Sequence, residues 1–223
     1  MHIGLIGGIG PAATQFYYRG LAAAFAAAGR PMELTMVHAD IATLFRNVTA
    51  GDGHAQAAVY KNLTSRLKAA GATTVAITSA GGHFCIKEFE PISPLPVFNI
   101  LKVITRELQN RGHKRIGLIG TRGAMTSRIF GALAPFTVVI PEGASLEAAH
   151  TAYIGMATAG SCSQQQRDIV FEIGSDLHHN QGAEIIVLGG TDLFLAFDGR
   201  VCGFPTLHCA QVHIEALVRA AHE

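Results

Sequence analysis

HIGLIGGIGPAAT, at His2–Thr14, returns in altered form as RIGLIGTRGAMTS, at Arg115–Ser127. Each copy opens with a short apolar run, passes through glycine and ends in residues that can begin a helix. Two more pairs follow in the same order. They are GATTVAITS (Gly71–Ser79) with GAEIIVLGG (Gly182–Gly190), and PVFNI (Pro96–Ile100) with PTLHC (Pro205–Cys209). Three ordered pairs indicate an internal duplication, so we predict two similar halves, related by a pseudo-two-fold axis, with the active-site cleft between them.

The composition is consistent with two such halves. A chain of 223 residues can divide into two domains that each bury a core. Only 15% of its residues are charged, against about 25% in an average soluble domain. We therefore expect part of the surface to pack against a partner subunit, and we predict a homo-oligomer, most simply a dimer. The formal net charge of +1 gives no electrostatic reason to expect nucleic acid or a membrane as a partner.

Targeting signals and disulfide patterns are not evident. No run of 18 or more apolar residues is present, so we expect no membrane span. The N-terminus lacks the basic segment and cleavage site of a signal peptide. The four cysteines, Cys85, Cys162, Cys202 and Cys209, follow no disulfide framework. These features predict a soluble, cytoplasmic protein with reduced thiols.

Short apolar runs bounded by glycine or proline alternate with helical stretches, many of them rich in alanine. The predicted strands are His2–Gly7, Glu33–His38, Thr73–Thr78, Leu95–Phe98, Arg115–Ile119, Phe136–Ile140, Glu184–Leu188 and Phe204–Leu207. The predicted helices are Pro11–Ala28, His54–Ala70, Ile100–Arg111, Ala124–Leu133, Ser145–Thr158, Ser161–Asn180 and Ala210–His222. This order predicts an α/β fold with a parallel sheet in each half. We place the first half at residues 1–98 plus 209–223 and the second half at residues 99–208.

The glycine-rich turn at residues 8–13 has three possible roles. Gly8 and Gly10, followed by Ala13, fit the dinucleotide fingerprint G-x-G-x-x-A, although no acidic residue ends the next predicted strand. The turn could instead bind a small carboxylate through its backbone N–H groups and the Thr14 hydroxyl, at a helix N-terminus. The copy that contains Thr121 would supply similar donors in the second half. The third possibility is a tight strand-to-helix turn without a ligand.

Four blocks of this chain resemble the aspartate/glutamate racemase superfamily. They are GLIGGIGPAAT (Gly4–Thr14), ITSAGGH (Ile77–His83), LGGTD (Leu188–Asp192) and PTLHCAQVHIEA (Pro205–Ala216). The opening block is the most specific, since it is similar to the family's GG-M-G-P-x-A-T. The resemblance covers nearly the whole chain and implies two similar α/β halves, with the last helix returning to the first half. It also implies inversion of the α-carbon of acidic amino acids by two opposed cysteines, without a cofactor.

The chain departs from the family pattern at both cysteine positions. The resemblance places the two thiols at Ser79 and Gly190. An alcohol is essentially un-ionised at neutral pH, whereas a free thiol titrates near ~8.5, and glycine has no side chain. We therefore expect no two-thiol racemisation. Other family positions are retained, namely the opening glycines, Thr14, His83, Thr191, an acidic residue at Asp192, and His213.

Other residues near the predicted strand ends could rebuild an acid–base site. We predict His83, Asp192, His208 and Ser79 as the catalytic candidates, because histidine titrates in the range that acid–base chemistry needs. The alternative for each histidine and for the aspartate is an ordinary helix cap or a bond to a backbone carbonyl.

Further residues are candidates for holding the substrate carboxylate. We predict Arg46 and Arg122, since arginine binds carboxylates in a bidentate manner. The alternative is that each forms a surface ion pair. The remaining predicted substrate-binding residues are Gly8, Gly10, Thr14, Thr121, Gly190 and Thr191.

Two other chemistries deserve comparison with this one. Cys85 and Cys209 follow the lost thiol positions and could act as shifted thiols, although a buried structural cysteine is the more common case. Cys209 and His213, four residues apart, could hold zinc, but the paired short spacings of a zinc site are missing. We therefore predict no metal and no cofactor.

Three functions follow from these patterns. The first is a cofactor-independent enzyme of the racemase superfamily that acts at the carbon next to a carboxylate of a small acid or amino acid. Its reaction would be a racemisation, or a one-base elimination, decarboxylation or isomerisation. The second is a non-catalytic relative that only binds a small carboxylate. The third is a nucleotide-dependent enzyme that uses the Gly8–Ala13 turn.

Overall fold

The computed structural model describes residues 1–222 and divides into two compact units. Unit 1 comprises Met1–Ile100 with the C-terminal segment that begins at His213, and unit 2 comprises Leu101–Val212. Each unit contains one parallel sheet with helices in its connections. The α/β fold with two parallel sheets predicted from the sequence is thereby confirmed.

Unit 1 contains a three-stranded sheet in the order β2-β1-β3. Its strands are β1 His2–Gly7, β2 Glu33–His38 and β3 Thr74–Ile77. Its helices are α1 Pro11–Ala27, α2 Ile41–Ala50, α3 Gly53–Ala69 and the single turn α4 Ile86–Phe89. Both neighbours of β1 run parallel to it, with Gly7 opposite His38 and Ile6 opposite Ile77. The carboxyl ends of the three strands therefore meet at one edge of the sheet, where ligands of parallel sheets bind.

Unit 2 contains a four-stranded parallel sheet in the order β5-β4-β6-β7. Its strands are β4 Arg115–Ile119, β5 Thr137–Val139, β6 Ile185–Leu188 and β7 Thr206–His208. The helices of the second half of the chain are α5 Ile100–Asn110, α6 Arg122–Thr126, α7 Gly143–Ala159, α8 Gln164–His179, the single turn α9 Phe194–Phe197 and α10 Cys209–His222, which continues into unit 1. The four residues of β6 are all buried, as expected for a central parallel strand.

Helix α2 was not predicted from the sequence. The Asp40 carboxylate accepts a hydrogen bond from the Thr43 backbone N–H at 2.8 Å and so caps the helix N-terminus. Gly51 ends the helix in the left-handed conformation with φ of 64°. Aspartate and glycine at these two positions are ordinary helix boundaries, and reading them together could have located the helix.

The predicted strand Leu95–Phe98 is only an isolated bridge between Val75 and Val97. Two backbone bonds form there, from the Val75 N–H to the Pro96 carbonyl at 3.0 Å and from the Phe98 N–H to the Val75 carbonyl at 2.7 Å. Proline at position 96 has no N–H group to extend the ladder. The prediction of a full strand was therefore wrong at this segment.

The predicted helix Ala124–Leu133 is also shorter than expected, since α6 ends at Thr126. The Ser127 hydroxyl donates to the Gly123 carbonyl at 2.6 Å and accepts from the Phe130 N–H at 2.9 Å, which competes with helical bonding. Residues 128–130 then adopt positive φ angles between 49° and 54°. This left-handed turn brings the Ile129 side chain into the core, where it is fully buried.

Gly174, inside α8, gives the first testable prediction. A Cβ at this position would overlap Phe204 Cζ and lie 2.7 Å from Phe204 Cε2, and the Phe204 ring also contacts Phe171 and Phe197. We expect Gly174→Ala to lower the free energy of unfolding by about 1–3 kcal/mol through overpacking, despite the higher helix propensity of alanine. Urea denaturation measures the change. Gly123→Ala is the matched control, because its Cβ would meet open space, and an equal effect in both variants would contradict the prediction.

None of the helices within residues 1–222 combines the length and the apolar character needed to cross a membrane.

Candidate functional site

The first candidate loop follows strand β3. Thr78 and Ser79 leave the strand, and a short 3₁₀ helix, Gly81–Cys85, comes next. Ser79 is 6% exposed, and its hydroxyl oxygen accepts a hydrogen bond from the Gly82 backbone N–H at 3.1 Å. The serine at the first predicted catalytic position therefore caps its own loop.

His83 has one ring nitrogen that is hydrogen-bonded and one that is not. Its Nδ1 lies 2.7 Å from the Ser79 carbonyl oxygen, and because a carbonyl can only accept, Nδ1 must carry the proton. The other ring nitrogen, Nε2, is then an acceptor, and it is buried without a hydrogen-bond partner. Burial lowers the pKa of His83 to about 4, against the opposing influence of the Ser79 carbonyl and Glu90. The imidazole is therefore neutral at pH 7 and presents a bare lone pair.

The glycine-rich turn after β1 is closed by its own hydrogen bonds. The Gly8 N–H donates to the Thr14 hydroxyl oxygen at 3.0 Å, and that hydroxyl lies 2.9 Å from the Gly10 carbonyl, to which it donates. Thr14 Oγ1 is also 3.2 Å from Thr78 Oγ1, which ties the turn to the residue before Ser79. Gly8 has a φ of 92°, and a Cβ there would overlap the His38 ring. This bonding supplies a structural role for the turn, and its predicted role in carboxylate binding stays a prediction.

The two predicted arginines lie on exposed surface. Arg46, in α2, donates to the Thr43 hydroxyl at 3.3 Å. Arg122, at the start of α6, forms a bidentate ion pair with Glu147 of α7, and the partners' side chains are 53% and 51% exposed. Glu147 raises the pKa of Arg122, and Arg122 lowers the pKa of Glu147. Before Arg122 could bind a substrate carboxylate, the Glu147 carboxylate would have to be displaced.

Thr121 caps helix α6. Its hydroxyl oxygen accepts a hydrogen bond from the Ala124 backbone N–H at 3.1 Å, in the manner of an ordinary N-cap. A threonine hydroxyl therefore organises both glycine-rich turns. Thr14 accepts from an N–H that precedes it in the chain, whereas Thr121 accepts from one that follows it.

The second candidate loop follows strand β6. Gly189 and Gly190 leave the strand, and a 3₁₀ helix, Thr191–Leu193, comes next. Thr191 is 1% exposed, and its hydroxyl is buried without a hydrogen-bond partner. Asp192 is 3% exposed, and its Oδ2 accepts a hydrogen bond from the Tyr153 phenol at 3.3 Å. The predicted residues Gly190, Thr191 and Asp192 thus form one compact group.

Tyr153 is the residue of this group that sequence reasoning missed. It belongs to α7, and a Cβ built on Gly190 would overlap its ring atom Cε2. The only signal in the sequence was one large aromatic residue within an alanine-rich helix. Nothing in that pattern indicated which loop the ring would meet.

His208 ends strand β7 opposite Leu188, the last residue of β6. Its ring meets Phe197 edge-on at a centroid distance of 6.3 Å. Burial lowers the pKa of His208 to about 4, and Asp198 opposes that change. The strand pairing places His208 at the same carboxyl edge of the sheet as the second loop, as the parallel topology requires.

The two cysteines near the candidate loops, Cys85 and Cys209, are unreactive because their thiols are protonated. Burial raises the pKa of both Cys85 and Cys209 to about 12. Both thiols therefore stay protonated at neutral pH, and reactivity requires the thiolate. Within the described residues, no group of three or more His, Cys, Asp or Glu side chains is arranged to hold a metal ion.

His213 has a structural arrangement in unit 1. Its Nε2 lies 2.9 Å from the Phe98 carbonyl, so it donates there, and its Nδ1 accepts from the Tyr17 phenol at 2.7 Å. Burial is the main cause that lowers its pKa, to about 3. A neutral, fully bonded histidine thus joins α10 to α1 and to the segment before α5.

The structure defines an α/β protein with two parallel sheets and short 3₁₀ turns after strands β3 and β6. Residues 6–217 match the Asp/Glu/hydantoin racemase family, and the chain belongs to that family. The family takes its name from racemases, a class of isomerase. A search of curated proteins finds no match.

Solved structures agree with this assignment. A Yersinia pestis protein inferred to be an Asp/Glu racemase is 25% identical, with a TM-score of 0.87 and coverage of 100% of both chains. An aspartate racemase homologue from Pyrococcus horikoshii is 21% identical, with a TM-score of 0.83 over 100% of this chain and 99% of the other. A Francisella tularensis glutamate racemase, solved in complex with D-glutamate, is 14% identical, with a TM-score of 0.69 over 99% and 81%. The latter two likenesses concern the fold alone.

Proposed function

We propose that this chain is a cofactor-independent isomerase that acts at the carbon next to the carboxylate of a small amino acid. Ser79, His83, Asp192 and His208 are the groups that we propose for its acid–base chemistry. The names of the structural neighbours suggest aspartate and glutamate as the first substrates to examine. Racemisation is the reaction that family membership favours. A one-base isomerisation or elimination would use the same groups.

The observation that carries the proposal is the position of the unpartnered polar atoms. Three buried side-chain polar atoms within residues 1–222 have no hydrogen-bond partner, namely Thr64 Oγ1, His83 Nε2 and Thr191 Oγ1. His83 and Thr191 lie in the two loops that follow β3 and β6. A buried polar atom without a partner is costly and requires an explanation. A ligand bound at either loop that supplies the missing partner there would provide one.

The roles follow from the chemistry of the groups. An α-proton is a very weak acid, so its removal needs a base held against it and donors for the developing charge. Neutral His83 offers the Nε2 lone pair as that base. The Thr191 hydroxyl can donate a hydrogen bond to the developing charge. The Asp192 carboxylate is the second base, beside the His83 imidazole. Ser79 keeps the His83 ring in one orientation through its carbonyl oxygen.

Deuterium exchange tests the proposal. Purified protein is incubated in D₂O with L-aspartate or L-glutamate, and the α-proton signal is followed by NMR. We expect the signal to decay faster than in a control with heat-denatured protein. Chiral chromatography of the same samples separates exchange with inversion from exchange with retention. Absence of enzyme-dependent decay with both amino acids would contradict the proposed reaction for these substrates.

A non-catalytic binder is the second candidate. Its support is that residues 79 and 190 carry no thiol and that the pKa of His83 is only about 4, which makes the imidazole a weak base. Such a protein would show thermal stabilisation by small carboxylates without exchange. We would then expect His83→Ala and His208→Ala to retain the ligand-dependent increase in melting temperature.

A further inference from the structure

The last position of the repeated strand-end motif differs between the two halves. In the first half it is Ser79, which has a side chain and uses it to bond the Gly82 N–H. In the second half it is Gly190, which has none. A Cβ at Gly190 would overlap Tyr153 Cε2, and it would lie 2.7 Å from Cζ and 3.0 Å from Cδ2 of the same ring. The Tyr153 ring therefore fills the volume that a side chain at residue 190 would need.

The ring reaches this place from a distant element and brings a polar group with it. Tyr153 lies in α7 and is 7% exposed. Its phenol donates to Asp192 Oδ2, two residues beyond Gly190. The neighbouring Thr191 hydroxyl is the unpartnered one. The Tyr153 side chain thus contacts Gly190 and Asp192, the two neighbours of Thr191 in the chain.

We propose that Tyr153 supplies, from α7, the strand-end side chain that Gly190 lacks, and that its hydroxyl positions the Asp192 carboxylate to receive a ligand's ammonium or hydroxyl group. The ligand in this statement rests on the proposed function, whereas the packing and the hydrogen bond do not. Tyr153 is accordingly a positioning residue that acts through Asp192.

The titratable groups around Asp192 are consistent with that role. Burial, followed by the Asp192 carboxylate and Cys209, raises the pKa of Tyr153 well above its usual range, so the phenol remains a donor. Asp192 also influences Cys209, whose thiol is protonated because burial raises its pKa to about 12. Tyr153 and Cys209 are therefore both protonated and uncharged beside the Asp192 carboxylate.

The packing claim is tested by melting temperatures in a set of crossed variants. We expect Gly190→Ala to lower the melting temperature, because the new Cβ meets the ring. The same change should cost nothing further in a Tyr153→Ala background, and it should keep its full effect in a Tyr153→Phe background, where the ring remains. Gly123→Ala is the control for adding a methyl group in this unit. An equal loss from Gly190→Ala in all three backgrounds would overturn the claim, and Tyr153→Leu can replace Tyr153→Ala if that variant does not fold.

The hydroxyl claim is tested with Tyr153→Phe, which keeps the ring. Protein labelled with carboxyl-¹³C aspartate is titrated by NMR, with the Asp192 signal assigned by its absence in Asp192→Asn. Loss of the phenol donor should move the Asp192 titration to higher pH, since a hydrogen bond to a carboxylate favours its charged form. Titrations of wild type and Tyr153→Phe that superimpose would overturn the positioning role. Both tests use protein without substrate, so their failure is distinguishable from a failure of the exchange assay.

Discussion

His83→Asn is expected to lower the rate of α-proton exchange by about 100-fold or more, the usual contribution of a positioned acid–base group. The asparagine amide can replace the Nδ1–H group and keep the bond to the Ser79 carbonyl. It has no counterpart to Nε2, the atom that lacks a partner. The variant therefore removes the proposed base while the loop keeps its main anchor. Exchange rates in D₂O and melting temperatures measure the two effects separately.

His178→Asn is the matched control for this change. His178 also places Nδ1 against a backbone carbonyl, that of Ala183, at 2.6 Å, but it lies at the end of α8 and outside both candidate loops. We expect this variant to exchange at the wild-type rate. If His83→Asn also exchanges at the wild-type rate while it remains folded, His83 is not the base.

Acidification from pH 7 to pH 4 is expected to unfold the protein or to remove most of its stability. His83 and His213 are fully buried, and burial is the main cause that lowers their pKa values, to about 4 and about 3. In the unfolded chain, histidine titrates near ~6.5. From these two groups, the unfolded state thus binds up to two more protons than the folded state as the pH falls from about 6.5 to about 4. The stabilisation is complete above pH 6.5 and is lost as the pH falls towards the folded-state pKa values.

The expected slope is about 3 kcal/mol per pH unit for these two groups between pH 6 and pH 4. That is large compared with a total stability of about 5–15 kcal/mol. Urea denaturation at a series of pH values measures it. His213→Gln should remove the contribution of one histidine from the slope, because the amide does not titrate. It can still donate to the Phe98 carbonyl. A free energy of unfolding that is constant between pH 6.5 and pH 4.5 would contradict these protonation states.

The two parallel sheets could be predicted because the decisive signals are local. Strands β1, β2 and β4 have the bounds expected from their apolar runs, and the glycine-rich turn after β1 begins a helix at Pro11 as expected. Apart from the missed helix α2, the errors occurred where one residue changes the bonding. Pro96 limits a predicted strand to a bridge, and the Ser127 hydroxyl ends a predicted helix.

The candidate site could be predicted only in part. Its loops follow from the topology, which places residues such as His83 and Asp192 after strand ends. Its hydrogen bonds do not follow from the sequence, because the tautomer of His83 depends on a carbonyl brought close by the loop conformation. Tyr153 was beyond prediction for a related reason. Its contact with Gly190 joins a helix face and a loop that are distant in the chain, and no periodicity encodes that pairing.

The central claim is that the candidate loops perform their chemistry without a thiol. It is tested most directly by α-proton exchange of L-aspartate and L-glutamate in D₂O with a variant that lacks Cys85, Cys162, Cys202 and Cys209. Each cysteine is replaced by alanine, and folding is checked by melting temperature. We predict exchange by the wild-type chain at a rate that the cysteine-free variant retains. Exchange that disappears with the cysteines in a folded variant, or no exchange by the wild-type chain with either amino acid, would contradict the account.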